Sequence, residues 1–399
     1  KAQAEMDGEV TLRPPEQVAI LGAVQTRYEA RKAHQTYNEL VHEVVDQLLT
    51  ETGVALKEIE SIVSASQDLF DGRTISGMAI NEVAGGYLHS ECKVAGDGIQ
   101  ALLYGAARIL AGAYDLTLVV AHCKESEGQF HQITGSMFDP YVERPLGLDE
   151  HIAAALQAQR FLSVSGAGEN DLAAVSRKNH RNAMKNPLAR RSGEFSAAQI
   201  LHSPVVVAPL RDLLAGPITD GACAILLGNP ARARKSARPV SWIAGMGAST
   251  DAYWTGRELA EAAALQTAAQ RAFAAAGIRH PLDELHVAEL SARYAHEELL
   301  YLDALHFAGG QRAHARLAAG EFDLGGKFPV NPSGGALAGN PTCVAGLARV
   351  AEVHLQLTAA AGAHQVPGAS AGLAHGASGI CGQSHTVVVL RREASAQAC

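Results

Sequence analysis

The sequence predicts an α/β protein assembled from two similar halves. An internal repeat and the alternation of buried strands with amphipathic helices carry that reading. The first half opens on Val18-Ala-Ile-Leu-Gly-Ala-Val, continues in a helix around Leu40 to Leu49, and reaches Thr52-Gly-Val-Ala-Leu-Lys-Glu-Ile-Glu-Ser-Ile-Val-Ser-Ala. The second opens on Val240-Ser-Trp-Ile-Ala-Gly-Met-Gly and continues in an Ala-rich helix from about Leu259 to Ala276. It then reaches Ala276-Gly-Ile-Arg-His-Pro-Leu-Asp-Glu-Leu-His-Val-Ala-Glu-Leu-Ser-Ala. Each copy gives a strand, a helix, a Gly-containing turn, an acidic turn and a second buried strand.

Each copy then enters a Gly-containing loop that opens a helix. Ala95-Gly96-Asp97-Gly98 leads into Ile99, Leu102, Leu103, Ala106 and Leu110, spaced for one helical face, with Asp97 placed as N-cap. Gly339-Asn340-Pro341-Thr342 leads into Val344, Leu347, Val350 and Ala351. Apolar, β-branched runs follow at Leu116-Thr-Leu-Val-Val-Ala and Thr386-Val-Val-Val-Leu. Strands alternating with helices predict a mainly parallel sheet covered on both faces. Residues 124–207 break the rhythm with polar loops, the turn-rich Asp139-Pro-Tyr-Val-Glu-Arg-Pro-Leu-Gly and a helix around Ile152 to Leu162, and read as an insertion. The first half resumes near Ile218-Thr-Asp-Gly-Ala. The expected division is 16–123 with 208–235 for the first half, 124–207 for the inserted loop domain and 236–395 for the second half.

Composition narrows the class. The 399 residues carry 33 Lys and Arg against 41 Asp and Glu, a net charge of -8, with 5% aromatics. An acidic chain without a basic stripe is a poor nucleic-acid binder. No apolar run reaches the roughly 20 residues needed to span a bilayer. No signal peptide precedes the first strand, and the polar start from Lys1 to Pro15 reads as an ordered tail at best. The six cysteines are scattered with no C-x-x-C pair, which predicts reduced thiols, no zinc and a cytoplasmic setting. The basic segment from Arg177 to Arg191 suits either CoA phosphates or a solvated helix face.

From about Val18 to Leu390 the chain resembles the thiolase superfamily, in its sterol-carrier-protein/lipid-transfer-like branch. Pro209-Leu-Arg followed by Pro217-Ile-Thr-Asp-Gly-Ala is similar to the family's strand ending in Asp-Gly-Ala. Asn331-Pro-Ser-Gly-Gly-Ala-Leu-Ala-Gly-Asn-Pro is similar to its Asn-x-x-Gly-Gly and Gly-His-Pro segment, and Gln365-Val-Pro-Gly with Ala374-His-Gly-Ala-Ser-Gly to its C-terminal active-site loop. The resemblance implies two pseudo-symmetric halves in five α-β-α-β-α layers and a homodimer core. It also implies an acyl-CoA substrate, with coenzyme A entering as part of that substrate and no covalently bound cofactor. The branch further implies a small zinc-ribbon/OB-fold (DUF35-type) partner, giving a heterotetramer.

Departures from the family pattern select the chemistry. A thiolase carries its nucleophilic Cys at a helix N-terminus, three residues before a Gly. With Gly98 as that Gly, Ala95 holds the position, and Cys92 falls three residues too early; a shifted loop register is the competing reading. The His-Asp-x-Phe or Asn-Glu-x-Phe segment becomes Ser291-Ala292-Arg293-Tyr294. Tyr294 is then either a packing residue or an acid/base phenol, as in the steroid side-chain aldolases of this superfamily. Asn340 replaces the His of Gly-His-Pro; its amide can donate to a thioester oxygen but cannot move a proton. In His375-Gly-Ala-Ser378-Gly-Ile-Cys381-Gly, His375 is either structural or a base, and Cys381 becomes a base if the register shifts. The candidate site is thus Asn340, Tyr294, His375, Ser291 and Cys381, with Ala95 as the degenerate nucleophile position.

Three functions fit. One is an enzyme that cleaves or forms a C–C bond beside a CoA thioester without an acyl-enzyme, of retro-aldol or retro-Claisen type, on a bulky steroid or aromatic acyl group. The second is a true thiolase with a displaced thiol, Cys92 or Cys381. The third is an inactive acyl-CoA-binding or scaffold subunit of a hetero-oligomer.

Overall fold

The computed structural model describes residues 17–394; the polar start and Cys399 lie outside them. The strands are β1 (Val18–Gln25), β2 (Ser61–Ala65), β3 (Ser90–Val94), β4 (Leu116–Lys124), β5 (Val205–Val207), β6 (Leu210–Arg211), β7 (Asp220–Gly228), β8 (Ser241–Thr250), β9 (Val287–Leu290), β10 (Ala371–Ser378) and β11 (Ser384–Arg391). Nine of them form one hydrogen-bonded order, β3-β2-β4-β7-β1-β8-β11-β10-β9, while β5 and β6 pair separately.

The repeat is visible in that order. From edge to centre the first half runs β3-β2-β4-β7-β1, and the second runs β9-β10-β11-β8. A parallel bridge from Ala288 to Val330 stands where a fifth strand of the second half would lie. The halves join where Val18, Ala19 and Ile20 pair antiparallel with Ile243, Trp242 and Ser241.

The sheet is mixed, which corrects the expectation of a mainly parallel one. β2 runs parallel to β3 and β4, and β9 parallel to β10. The pairings β1–β7, β4–β7, β10–β11 and β8–β11 are antiparallel. The short turn over 379–383 joins β10 to β11 and leaves no room for the crossover that parallel strands need. Composition does not encode strand direction.

Side-chain alternation builds the layers. Along β4, Leu116, Leu118 and Val120 pack on one face with Leu40, Val44 and Leu48, while Val119, Ala121 and Cys123 face the other. Along β11, Val387 and Val389 pack outward with Leu265, Ala268 and Ala272, while Val388 and Leu390 turn inward. The inward faces of both halves close on one core containing Ile99, Leu102 and Ala106 together with Leu347, Val350 and Val353. The result is helix, sheet, paired central helices, sheet and helix: the five-layer thiolase fold.

Local chemistry sets the helix ends. Thr36 and Glu39 form a capping box for Tyr37–Thr52, and Gly53 closes that helix in the left-handed conformation. Asp97 caps the central helix Gly98–Leu110 by accepting from the Ile99 N–H, as the sequence predicts. The Ala-rich helix spans Ala263–Ala276 and the insertion's helix spans Glu150–Ser165, each shifted a few residues from expectation. Among the described residues no helix is long and apolar enough to cross a membrane.

The central helices Gly98–Leu110 and Ala345–Leu357 meet at glycine. A Cβ on Gly98 would lie 2.7 Å from the Cβ atoms of Ala121 and Leu347, and one on Gly346 would lie 2.2 Å from Asp97 Oδ1. Overpacking of this kind costs about 1–3 kcal/mol. Gly98→Ala should therefore lower the unfolding free energy by that amount in chemical melts, with the midpoint moving to lower denaturant. An unchanged midpoint would mean that the helices separate more easily than this geometry allows.

Candidate active site

The N-termini of the two central helices converge on a cleft lined by Asp97, Tyr294, Asn340 and Ala345. Asp97 occupies their meeting point. Its Oδ1 accepts from Ile99 N at 2.8 Å, and its Oδ2 accepts from Gly346 N at 2.7 Å. One carboxyl thus takes backbone donors from both helix N-termini. The sequence reading made Asp97 a cap for one helix; the structure makes it a cap for two. Burial pushes its pKa up to about 7 despite those donors.

Asn340 lines the cleft and is 7% exposed. Gly339 precedes it at φ +100°, where an added Cβ would meet Arg190 Cβ at 2.7 Å, so this backbone turn favours glycine. Arg349 Nη2 donates to Asn340 Oδ1 at 2.7 Å. That bond orients the amide with Nδ2 as donor. Arg349 is fixed in turn by Glu289 and by Ser333 Oγ at 2.7 Å. The Ile99 and Gly346 N–H groups at the two helix starts are spent on Asp97.

Tyr294 caps the helix Ala295–Ala304, is 1% exposed and lines the cleft. Its hydroxyl is hydrogen-bonded to His151 Nδ1 at 2.7 Å. Burial raises the phenol well above its ordinary pKa. Burial, followed by the nearby Arg293 charge, lowers His151 to about 4. The pair is therefore a neutral phenol bonded to a neutral imidazole. Ser291 lines the same wall from the end of β9, its N–H donating to His375 O at 3.1 Å.

Glu297 and Glu150 add carboxyls to the cleft. Glu297 accepts from the N–H groups of Arg293 and Tyr294 at 2.8 and 3.1 Å, yet burial raises it to about 8. Burial also raises Glu150. Arg293 behaves differently. Burial alone would lower it, but Glu125 and Glu150 outweigh that, so it stays charged. Its Nη1 lies 2.8 Å from Glu125 Oε1 and 2.8 Å from Thr342 Oγ1. Thr342 N donates to the same Glu125 oxygen at 2.9 Å, tying the Asn340 loop to Tyr294's neighbour.

The remaining candidates divide. Cys381 lines the cleft at φ +51°, its thiol pushed up by burial. His375 lies within β10, its Nε2 2.9 Å from His385 Nδ1, and is not among the lining residues, which begin in that strand at Ala377. Burial, followed by the His385 charge, holds it well below the usual histidine range. This corrects the reading of His375 as a site base. Ala95 is exposed at the end of β3 and is not among the lining residues, and Cys92 lies inside β3. Lys178 of the basic segment is buried 3.1 Å from Glu298, so that segment is no uniform phosphate face. Among the described residues no group of three or more His, Cys, Asp or Glu is placed to hold a metal ion.

Residues 245–392 match the family described as Thiolase C-terminal domain-like. The chain is 28% identical over 383 residues to an acetyl-CoA acetyltransferase of Methanothermobacter thermautotrophicus, covering 92% of this chain and 97% of that one. It is 28% identical to sterol carrier protein 2 of Oryctolagus cuniculus, over 70% of this chain and 54% of that protein, so it spans about half of that relative. The chain is similar to the sterol-carrier-protein-like branch of the thiolase superfamily. It is also 27% identical to a 17-hydroxy-3-oxo-4-pregnene-20-carboxyl-CoA lyase of Mycobacterium tuberculosis, over 80% of this chain and 86% of that one. A solved structure of an Ltp2-ChsH2(DUF35) aldolase superposes with TM-score 0.81 at 20% identity, covering 95% of this chain and 98% of that one. This superfamily holds acyl-CoA enzymes of both acyltransferase and lyase type.

His151, Glu150 and Glu297 escaped the sequence reading. Glu297 had a signal, since it stands three residues after the N-cap Tyr294, where a capping-box acid belongs. Its raised pKa gives a test. A carboxyl raised from 4.5 to about 8 binds its proton more tightly folded than unfolded. That stabilising contribution is full below about 4.5 and is lost as pH rises through about 8. Glu297→Gln, which mimics the protonated form, should flatten the fall in unfolding free energy between pH 5 and 8.5. An unchanged slope would mean that Glu297 is ionised in the folded protein.

Proposed function

We propose that this protein breaks or makes the Cα–Cβ bond of a 3-hydroxyacyl-CoA by retro-aldol chemistry, with no acyl-enzyme. The supporting observation is that Tyr294, hydrogen-bonded to His151 behind it, lines the same cleft as Asn340. In the cleavage direction the Tyr294 oxygen accepts the substrate's hydroxyl proton as its own proton passes toward His151. The C–O bond becomes a carbonyl, and the Cα–Cβ electron pair moves into the thioester as an enolate. The Asn340 Nδ2–H donates to the enolate oxygen. Glu297, raised to about 8 by burial, returns a proton to Cα.

The displaced-thiol reading has less support. A nucleophilic cysteine needs a lowered pKa. Cys381 is raised by burial, Cys123 by its hydrogen bond to Cys343 and then by burial, and Cys223 by burial. The lyase relative and the fold shared with a DUF35-partnered aldolase favour C–C cleavage on a bulky steroid or aromatic acyl group and a DUF35-type partner. A second copy of this chain has a natural seat at the sheet edge. There β3 lacks an outer neighbour, and Ile75, Met78, Tyr87, Leu88 and Tyr104 expose apolar side chains in the same part of the chain.

Turnover of a panel of steroid and aromatic 3-hydroxyacyl-CoA esters, followed by release of the aldehyde or ketone, tests the reaction. Asn340→Ala should slow it by about 100–1,000-fold, the usual cost of one oxyanion donor. Tyr294→Phe should lose at least as much in kcat with KM little changed. Wild-type rates in both variants would remove the site from the chemistry, and failure of the wild type with a DUF35-type partner present would favour a binding or scaffold role.

A further inference from the structure

His151 stands between Tyr294 and a second histidine that neither the family pattern nor the proposed chemistry uses. The His131 ring centroid is 5.3 Å from that of His151, at an interplanar angle of 66°. The His131 side chain is 69% exposed, while its carboxylate partner Asp149 is only 11% exposed. Phe130 packs 5.0 Å from His151 and forms an apolar wall beside both rings. The charged and titratable groups facing His151 are Arg293, Asp149, His131 and Glu125.

The relay requires one tautomer at each ring. The Tyr294 hydroxyl must donate to His151 Nδ1, which puts His151's proton on Nε2. His131 Nδ1 bonds the Asp149 carboxylate, an acceptor, so that nitrogen carries the proton and Nε2 holds the lone pair. In these tautomers His151 offers an Nε2 proton and His131 an Nε2 lone pair, on rings whose centroids are 5.3 Å apart.

We propose that His131 is the outer member of a proton relay, Tyr294 to His151 to His131, that carries the substrate's hydroxyl proton to solvent. The inference rests on the aldol reading of the cleft. Three protons move together: from the substrate hydroxyl to the Tyr294 oxygen, from that oxygen to His151 Nδ1, and from His151 Nε2 to His131 Nε2, directly or across one water. Asp149 steadies the imidazolium formed on His131, and that ring, being exposed, gives the proton to buffer. His131 does not touch substrate, and His151 fits the middle position because it resists keeping the proton.

The relay is tested on the full chain in two ways. In 15N-labelled protein at pH 8, histidine 15N–1H correlations, assigned with His131→Ala and His151→Ala, should show His131 protonated at Nδ1 and His151 at Nε2. The opposite tautomer at either ring overturns the relay, whether or not any substrate is known. With a 3-hydroxyacyl-CoA that the wild type cleaves, His131→Ala should lower kcat by about tenfold or more, leave KM unchanged and recover with added imidazole. A wild-type kcat, or a loss that imidazole does not restore, also overturns it. If the wild type cleaves no ester in the panel, the aldol reading fails and the tautomers alone decide the relay.

Discussion

The site is organised by one buried carboxyl shared between two helix ends. Asp97 accepts from Ile99 N at the start of one central helix and from Gly346 N at the start of the other. Its own N–H donates to Ser378 Oγ at 3.1 Å, which draws the end of β10 into the same junction. This requires glycine at positions 98 and 346, because any side chain there would push the helices apart. It also uses the donors that a helix N-terminus would otherwise offer to a ligand. The proposed chemistry therefore assigns the developing negative charge to Asn340, which Arg349 and Glu289 brace.

Burial governs the rest of the cleft. Desolvation raises Glu297, Glu150, Asp97, Tyr294 and Cys381, and lowers His151. Each shift favours the uncharged form of its group over the ion. Arg293 keeps its charge because Glu125 is bonded to it, and that pair ties the β4 end to the Asn340 loop. Uncharged acids and bases suit proton movement and do not suit a thiolate nucleophile. The loss of a cysteine at Ala95 and the raised thiols therefore point to the same chemistry.

Much of the architecture was legible because it is periodic. Apolar, β-branched runs located β4 and β11, helical spacing located the central helices, and Asp97 announced itself as a cap. Direction was not legible, since β7 and β11 look the same in sequence whichever way they run. Contacts across the fold were also hidden. Asp97 reaches Gly346 across 249 residues, and His151 reaches Tyr294 across 143, from an insertion without a repeat partner. His375 was misplaced because its motif located β10 correctly but not the point where that strand opens into the cleft.

The absence of a covalent intermediate is most directly tested by intact-protein mass spectrometry of acid-quenched enzyme during turnover of a 3-hydroxyacyl-CoA. Aldol chemistry at Tyr294 and Asn340 predicts the unmodified protein mass at every time point. An added acyl mass that appears and decays with turnover, mapped to Cys381, Cys92 or any other side chain, would contradict it.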